Sequence, residues 1–265
     1  MVRGVPWPLK LAAAVFLLLT AALLLAPLVV VVGVSFSKSQ FIAFPPDGFS
    51  LRWYGEAFAS EAYLRAGWVS LRIAIVVTVA ASLVGGMAAV ALHRRVLPGS
   101  AALAAFFLSP LVLPTIIYAI GMLMLWSATF GRADVVTLSI GHTVIALPYV
   151  VRTTLAVLSE SDPFLEEAAA TMGAGRLQRL ALVVLPQAAP GLAAGAFFAF
   201  NISFDEAVLA LFLRNPSLTT LPVQIYGELE FSPDPSVAAV SSIMIFITIL
   251  LIVVIDRVVG IRTVA

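Results

Sequence analysis

Two adjacent carboxylates, Asp205 and Glu206, interrupt an otherwise uncharged stretch from Pro186 to Leu213. An ionisable side chain in such a stretch is costly in hydrocarbon and normally faces a cavity or a partner. At about 1.5 Å per residue from Gly191, Asp205 lies roughly 20 Å along a helix. Asn201 precedes it by one turn on the same face. A carboxylate among aromatic rings can hold an ammonium group by charge and cation–π attraction. Phe204, Trp126, Tyr118 and Tyr149 are the candidate rings. Two other readings of Asp205 stand beside this one: it pairs with a cation of a partner chain, or it reaches the outer interface.

Little else in the chain could do chemistry. There is no cysteine, and the two histidines, His93 and His142, are far apart with no H-E-x-x-H pattern. No nucleophile–base pair or metal-ligand set follows, so neither a catalytic residue nor a metal is expected. No G-x-x-x-x-G-K-[ST] loop occurs, so the chain is expected to bind no nucleotide or other cofactor itself. His142 reads as hydrogen-bonded packing, His93-Arg94-Arg95 as an interface cluster, and Arg152 as a snorkelling side chain. The Gly85-Gly86 pair reads as a site of close helix packing.

These residues must be positioned by membrane helices. Of 265 residues 62% are hydrophobic and 11% charged, with a mean hydropathy of +1.09. Soluble domains carry about 25% charged residues, so lipid is the solvent that this composition suits. A net charge of +1 gives no basic surface for nucleic acid. A hydrocarbon core of about 30 Å needs roughly 20 apolar residues in a helix. Runs of that kind lie at about 11–35, 70–92, 101–127, 135–157, 188–212 and 237–258. The first reads as a retained helix rather than a cleaved signal. Pro110 and Pro114 are expected to kink the third.

Nine of the fifteen Lys and Arg residues fall on one side: Arg3, Lys10, Arg94, Arg95, Arg152, Arg176, Arg179, Arg257 and Arg262. That bias puts both termini in the cytoplasm. The expected fold is an all-α membrane protein, a single domain over 1–265 with six transmembrane helices. Two loops are long: residues 38–67 outside and 159–186 inside.

The inner loop carries the strongest pattern. Asp162 is a good N-cap and Pro163 suits the first helical position. Glu166 and Glu167 complement the positive end of the helix dipole, and Ala168, Ala169 and Ala170 keep the helix slim. Gly173 can adopt the left-handed conformation that ends it. From Arg176 to Val183 a second, basic amphipathic segment follows, before Leu185-Pro186 opens the fifth span. Such a loop either lies on anionic lipid or docks into a soluble partner.

The spacing Glu167-Ala168-Ala169, three residues, Gly173, nine residues, Val183, one residue, Leu185-Pro186 resembles the cytoplasmic-loop signature of binding-protein-dependent ABC importer permeases. Ser109-Pro110-Leu111-Val112-Leu113-Pro114, Gly141-His142 and Leu147-Pro148-Tyr149-Val150-Val151-Arg152 are similar to the same family. Phe49-Ser50-Leu51-Arg52-Trp53-Tyr54 and Ser203-Phe204-Asp205-Glu206 resemble its spermidine and putrescine branch. The resemblance covers most of residues 30–255. It implies a bacterial inner-membrane protein whose coupling helix, between spans 4 and 5, sits in a cleft of a cytoplasmic ATPase dimer. ATP and Mg would be bound by that dimer. A second permease, a different chain in most of that branch, and an external solute-binding protein complete the machine. Glu166, Glu167, Ala168, Ala169, Gly173, Arg176, Leu185 and Pro186 are the coupling residues so implied. Asn201, Phe204, Asp205, Tyr149 and Trp126 are candidates for the solute path.

The branch features also occur in permeases for iron, phosphonates and other small solutes. An ATP-independent secondary transporter would show inverted repeats and paired charges deep in several helices, and no such repeat is evident. It would also leave the inner loop unexplained.

Overall fold

Backbone N–H and C=O groups in hydrocarbon must be satisfied within the chain, which leaves helices as the form for uncharged runs of this length. The structure is a computed structural model that describes residues 6–94, 98–162, 164–213, 215 and 218–259. Arg3, Arg95, Pro163 and Arg262, named above, lie outside the described residues. Among those described, the elements are α1 (Trp7–Ser35), α2 (Arg52–Ala59), α3 (Glu61–His93), α4 (Ser100–Leu108), α5 (Thr115–Thr129), α6 (Val135–Glu160), α7 (Phe164–Thr171), α8 (Arg176–Arg179), α9 (Leu185–Asp205), α10 (Val208–Leu213), α11 (Leu221–Phe231) and α12 (Pro235–Val259). Five helical stretches are long and apolar enough to cross a membrane, and the bent α4–α5 pair is a sixth if counted as one span.

The third apolar run is broken rather than kinked. Helix α4 passes through a 3₁₀ turn, Ser109–Leu111, and α5 starts at Thr115, with 97° between the two segments. Pro110 and Pro114 supply no N–H, and Pro114 sits at φ −57° and ψ 126°, outside the helical region. Ser109, before Pro110, keeps helical angles (φ −58°, ψ −32°), so the chain leaves the helical region later, by Pro114, after which α5 begins in a new direction.

The fifth run is displaced toward the N-terminus. Helix continues from Arg176 to Asp205, where the sequence places the span at about 188–212. A π turn at Leu180–Val184 lies just before Pro186, re-registering the hydrogen bonds that its missing N–H disturbs. The helix stops at Glu206, whose backbone is extended (φ −71°, ψ 109°). There the Glu206 carboxylate accepts the N–H of Leu209 at 3.0 Å and starts α10.

The expected outer loop 38–67 is shorter than its limits suggest, because α2 and the first turns of α3 occupy its second half. Glu61 stands in the first turn of α3, where a negative charge favours the helix dipole.

The chain divides into two compact units. The first comprises residues up to Glu61 together with Ile225–Ile247. In it, Phe36 stacks on Phe49 with centroids 4.8 Å apart, and the Trp53 indole donates to the Ser37 carbonyl at 2.9 Å. The Tyr54 and Ser35 hydroxyls are 2.8 Å apart. These contacts, with the backbone bond from Ser50 N–H to Phe36 C=O, close the segment that follows α1 onto α2. No residue in the membrane-length window of α1 is buried within the chain.

The second unit comprises Ala62–Gln224 and the chain from Thr248 onward. Its core joins Ile73, Val77 and Ala81 of α3, Ala119 of α5, Leu138, Ala146 and Val150 of α6, Ala199 of α9, and Leu209 and Leu213 of α10. The closest packing is between α6 and α9. A Cβ at Gly191 would lie 2.7 Å from the Thr153 carbonyl oxygen, and one at Gly195 would lie 2.8 Å from Val150 Cα. Ala188, Gly191, Gly195, Ala199 and Ser203 form the buried small-residue face of α9, the kind of surface that lets membrane helices approach backbone to backbone. Gly85 and Gly86 instead make room on α3 for the side chains of Val150 and Leu192.

Helix α6 begins where Asp134 accepts the N–H of Thr137 at 2.9 Å and Thr137 Oγ1 accepts the N–H of Asp134 at 3.1 Å. This reciprocal cap sets the start of the fourth span at Val135. The bonds from the Thr137 N–H and then its hydroxyl hold the Asp134 carboxyl below the usual carboxylate range.

Candidate functional site

The inner loop folds as a capped helix followed by a tight turn. The Asp162 side chain accepts the N–H of Phe164 at 2.9 Å, satisfying a donor that the first turn of α7 leaves free. At the other end, the Ala174 N–H reaches the Ala169 carbonyl and the Gly173 N–H reaches the Ala170 carbonyl, both at 3.0 Å. These two bonds make a Schellman motif, whose left-handed position falls on Gly173 at φ 87°. The Gly175 N–H then donates to Gln178 Oε1 at 2.9 Å and opens α8.

The two adjacent acids of α7 border one cavity but differ in exposure and in ion pairing. Glu166 Oε1 accepts from Arg94 Nη2 at 2.6 Å and lies 3.8 Å from Arg179 Nη1. Glu167 is exposed, as are Ala168 and Arg176, while Ala169 is the buried residue of the helix. Phe164 (70% exposed), Leu165, Met172 (82%) and Leu177 are exposed apolar side chains on the same loop. Leu185 and Pro186 are exposed at the start of α9. Glu166 and its arginine partners border a cavity of about 920 Å³, also lined by His93, Asp162, Glu167 and Arg176.

A second cavity, of about 420 Å³, lies where α4 and α5 bend apart. Phe106, Phe107, Ser109 and Thr115 line it from the bent pair, Tyr118 from α5, Tyr149 from α6, and Ile202 and Glu206 from the end of α9. The Tyr118 hydroxyl points at the Gly141 carbonyl at 3.4 Å. Beside that residue, fully buried His142 meets Ser203 through Nδ1 and Oγ at 3.0 Å, fastening α6 to α9 one residue before Phe204.

Of the residues singled out for the solute path, the structure brings Tyr149 to this cavity together with Tyr118. Asp205 is exposed and is not in the cavity wall. Phe204 is buried and stacked on Phe200 at 5.5 Å. Asn201 donates to the Phe197 carbonyl at 3.0 Å, and Trp126 lies against Phe130 at 4.6 Å. The carboxylate in the wall is that of Glu206. The sequence marks both acids, and its helical spacing favours Asp205 rather than Glu206 for the path. The available signal was the position of Glu206 three residues before Leu209, where a carboxylate can cap a new helix.

The second unit thus holds membrane-length helices, a cavity bordered by one carboxylate, and an exposed, capped helix between two spans. A family model described as the inner membrane component of binding-protein-dependent transport systems matches residues 81–261, and the chain belongs to that family. It is 30% identical to the spermidine/putrescine transport system permease protein PotC of Haemophilus influenzae, over 90% of this chain and 92% of that protein. It is 32% identical to the putrescine transport system permease protein PotI of Escherichia coli K12, over 91% and 86%. The solved structure of a bacterial ABC transporter that imports the acidic polysaccharide alginate shares the fold, with a TM-score of 0.69 over 94% of this chain and 96% of that one at 18% identity. The chain is a permease subunit of an importer, resident in the inner membrane.

Proposed function

We propose that this chain forms half of the solute path of an ATP-driven importer whose cargo is a small polyamine-like cation. The observation that carries the cargo class is the 420 Å³ cavity, where Glu206 is set among Tyr118, Tyr149, Phe106 and Phe107. No Lys or Arg stands among the described residues that line it. A protonated amine there meets a carboxylate and ring faces, whereas an anion meets uncompensated negative charge. Relatives named for spermidine and putrescine transport support the same class. Asp205, exposed in the single chain, suits pairing with a second permease, which we take to be a different chain.

The chain crosses the membrane six times, through α1, α3, the bent α4–α5 pair, α6, Arg176–Asp205 and α12. Both termini and α7 lie in the cytoplasm, as the distribution of Lys and Arg favours. Helix α7 docks in a cytoplasmic ATPase dimer through Glu167 and the exposed Phe164, Leu165 and Met172. That dimer binds ATP and Mg, and this chain is non-catalytic. A solute-binding protein delivers cargo on the outer side, and alternating access follows as each ligand favours one arrangement of the bundles.

Uptake of labelled spermidine and putrescine, in cells with and without the chain, tests this reading. Deletion should abolish uptake. At equal membrane content, Glu206→Gln should lose most of it and Asp205→Asn should keep more. Unchanged uptake on deletion would assign the permease to another small solute.

A further inference from the structure

Helix α7 has little apolar hold on its own chain. Ala169 is its one buried residue, and Phe164, Leu165, Ala168, Ala170 and Thr171 are exposed. A methyl group in van der Waals contact resists being pushed closer but gives almost no resistance to being pulled away. If α7 is to move the spans in both directions of a transport cycle, some attractive contact must bind it to them.

Glu166 makes that contact. One carboxylate oxygen, Oε1, takes Arg94 Nη2 at 2.6 Å and faces Arg179 Nη1 at 3.8 Å. Arg94 follows α3 directly, across a sequence separation of 72 residues. Arg179 belongs to the helix that runs on to Asp205, beside Glu206 in the cavity wall. Three helices therefore meet on one oxygen. The Nε atoms of both arginines are buried without a hydrogen-bond partner among the described residues, so each guanidinium engages an anion through its Nη end alone. Glu166 is the sole ion-pair partner of either arginine among the described residues. The neighbouring cavity of about 920 Å³ leaves room for this cluster to shift.

We infer that Glu166 is a positioning residue that ties α7 to α3 and to the fifth-span helix, whereas Glu167 faces the ATPase. The two acids thus divide the coupling role that the resemblance implies for both, although only Glu167 belongs to the quoted signature. This rests on the reading of α7 as the coupling helix. Loss of Glu166 uncouples ATP hydrolysis from import while leaving α7 able to dock. Loss of Glu167 weakens docking itself.

The test uses the whole importer reconstituted in proteoliposomes with its binding protein and labelled putrescine. Three quantities are read for each variant: ATPase co-purified per permease, ATP hydrolysed, and solute imported per ATP. Glu166→Gln should co-purify the ATPase as the wild type does and lower solute per ATP about 5-fold or more, the lower end of ordinary coupling between sites. The pair Glu166→Gln with Arg94→Gln should be no worse than Glu166→Gln alone, since both break one link. Glu167→Gln should instead reduce co-purified ATPase. Unchanged solute per ATP in Glu166→Gln overturns the proposal while leaving α7 as the coupling helix. So does a double variant whose losses multiply. Failure of the wild-type chain to bind an ATPase would overturn both readings together.

Discussion

Replacing Gly173 isolates a dihedral cost from a packing cost. Its φ is 87°, and nothing lies within 4 Å of the place a Cβ would occupy. A side chain there meets no neighbour, so its penalty is that of the left-handed backbone alone, about 1–2 kcal/mol for alanine. One to two kcal/mol is a factor of about 5–30 in the population of the turn. Asparagine tolerates this conformation better, and a β-branched residue is a true outlier in it. The expected order of function is therefore Gly, then Gly173→Asn, then Gly173→Ala, then Gly173→Val. A variant can escape by fraying the Schellman bonds to Ala169 and Ala170. That frees the end of α7 without disturbing insertion, because the residues concerned lie outside the bundle core. The assay is import of labelled solute and ATP hydrolysis at matched membrane content. Import by Gly173→Val at the wild-type rate would refute the claim that this turn must hold its shape.

Other expectations follow from the same geometry. Gly195→Val places new atoms against the α6 backbone, where a Cβ already lies 2.8 Å from Val150 Cα. Overpacking of this kind costs about 1–3 kcal/mol, which should appear as a lower melting temperature of the detergent-solubilised chain. Asp134→Ala removes the cap of α6 and should cost about 0.5–2 kcal/mol, toward the low end because the residue is exposed. The folded Asp134 carboxyl titrates below its ordinary value. Its contribution is therefore complete above an unfolded pKa of about 4 and fades as pH falls through the folded value. Stability measured between neutral and acid pH in wild type and Asp134→Ala should converge at the acid end. The chain has no native cysteine, so a thiol at Arg132→Cys reports one side of the membrane cleanly. Labelling by an impermeant reagent from outside is expected, and labelling from the cytoplasm would reverse the orientation.

What the sequence made legible was local. Hydropathy marked the helical runs, because burial in lipid leaves the backbone no other form. Asp162 and Gly173 marked a helix start and a helix end, because each side chain, or its absence, acts on backbone within four residues. The rest depended on neighbours far along the chain. Pro110 and Pro114 can kink or break a helix according to how the freed carbonyls are satisfied, and here they break it. Asp205 and Glu206 are consecutive, so they point about 100° apart on a helix of 3.6 residues per turn. The break at Glu206 then sets which one enters the cavity, and single-helix periodicity cannot foresee that. The link from Glu166 to Arg94 crosses 72 residues and leaves no spacing pattern. Gly191 and Gly195 did leave one, the small-xxx-small interval of close-packed membrane helices, beside the more conspicuous Gly85-Gly86.

Gly191 and Gly195 stand near the middle of the 30-residue helix from Arg176 to Asp205. At 1.5 Å per residue this helix is a rod of about 45 Å. Its point of closest contact with α6 lies midway, where absent side chains let one backbone roll on the other. A rod pivoted at its centre works as a seesaw: a tilt of about 5° moves each end by about 2 Å, in opposite directions. The end bearing Arg179 and the end adjoining Glu206 would then travel in antiphase, less whatever the π turn absorbs. The placement of two hydrogen atoms where side chains would otherwise stand would thus set the gearing between the Arg179 end and the cavity end of this helix.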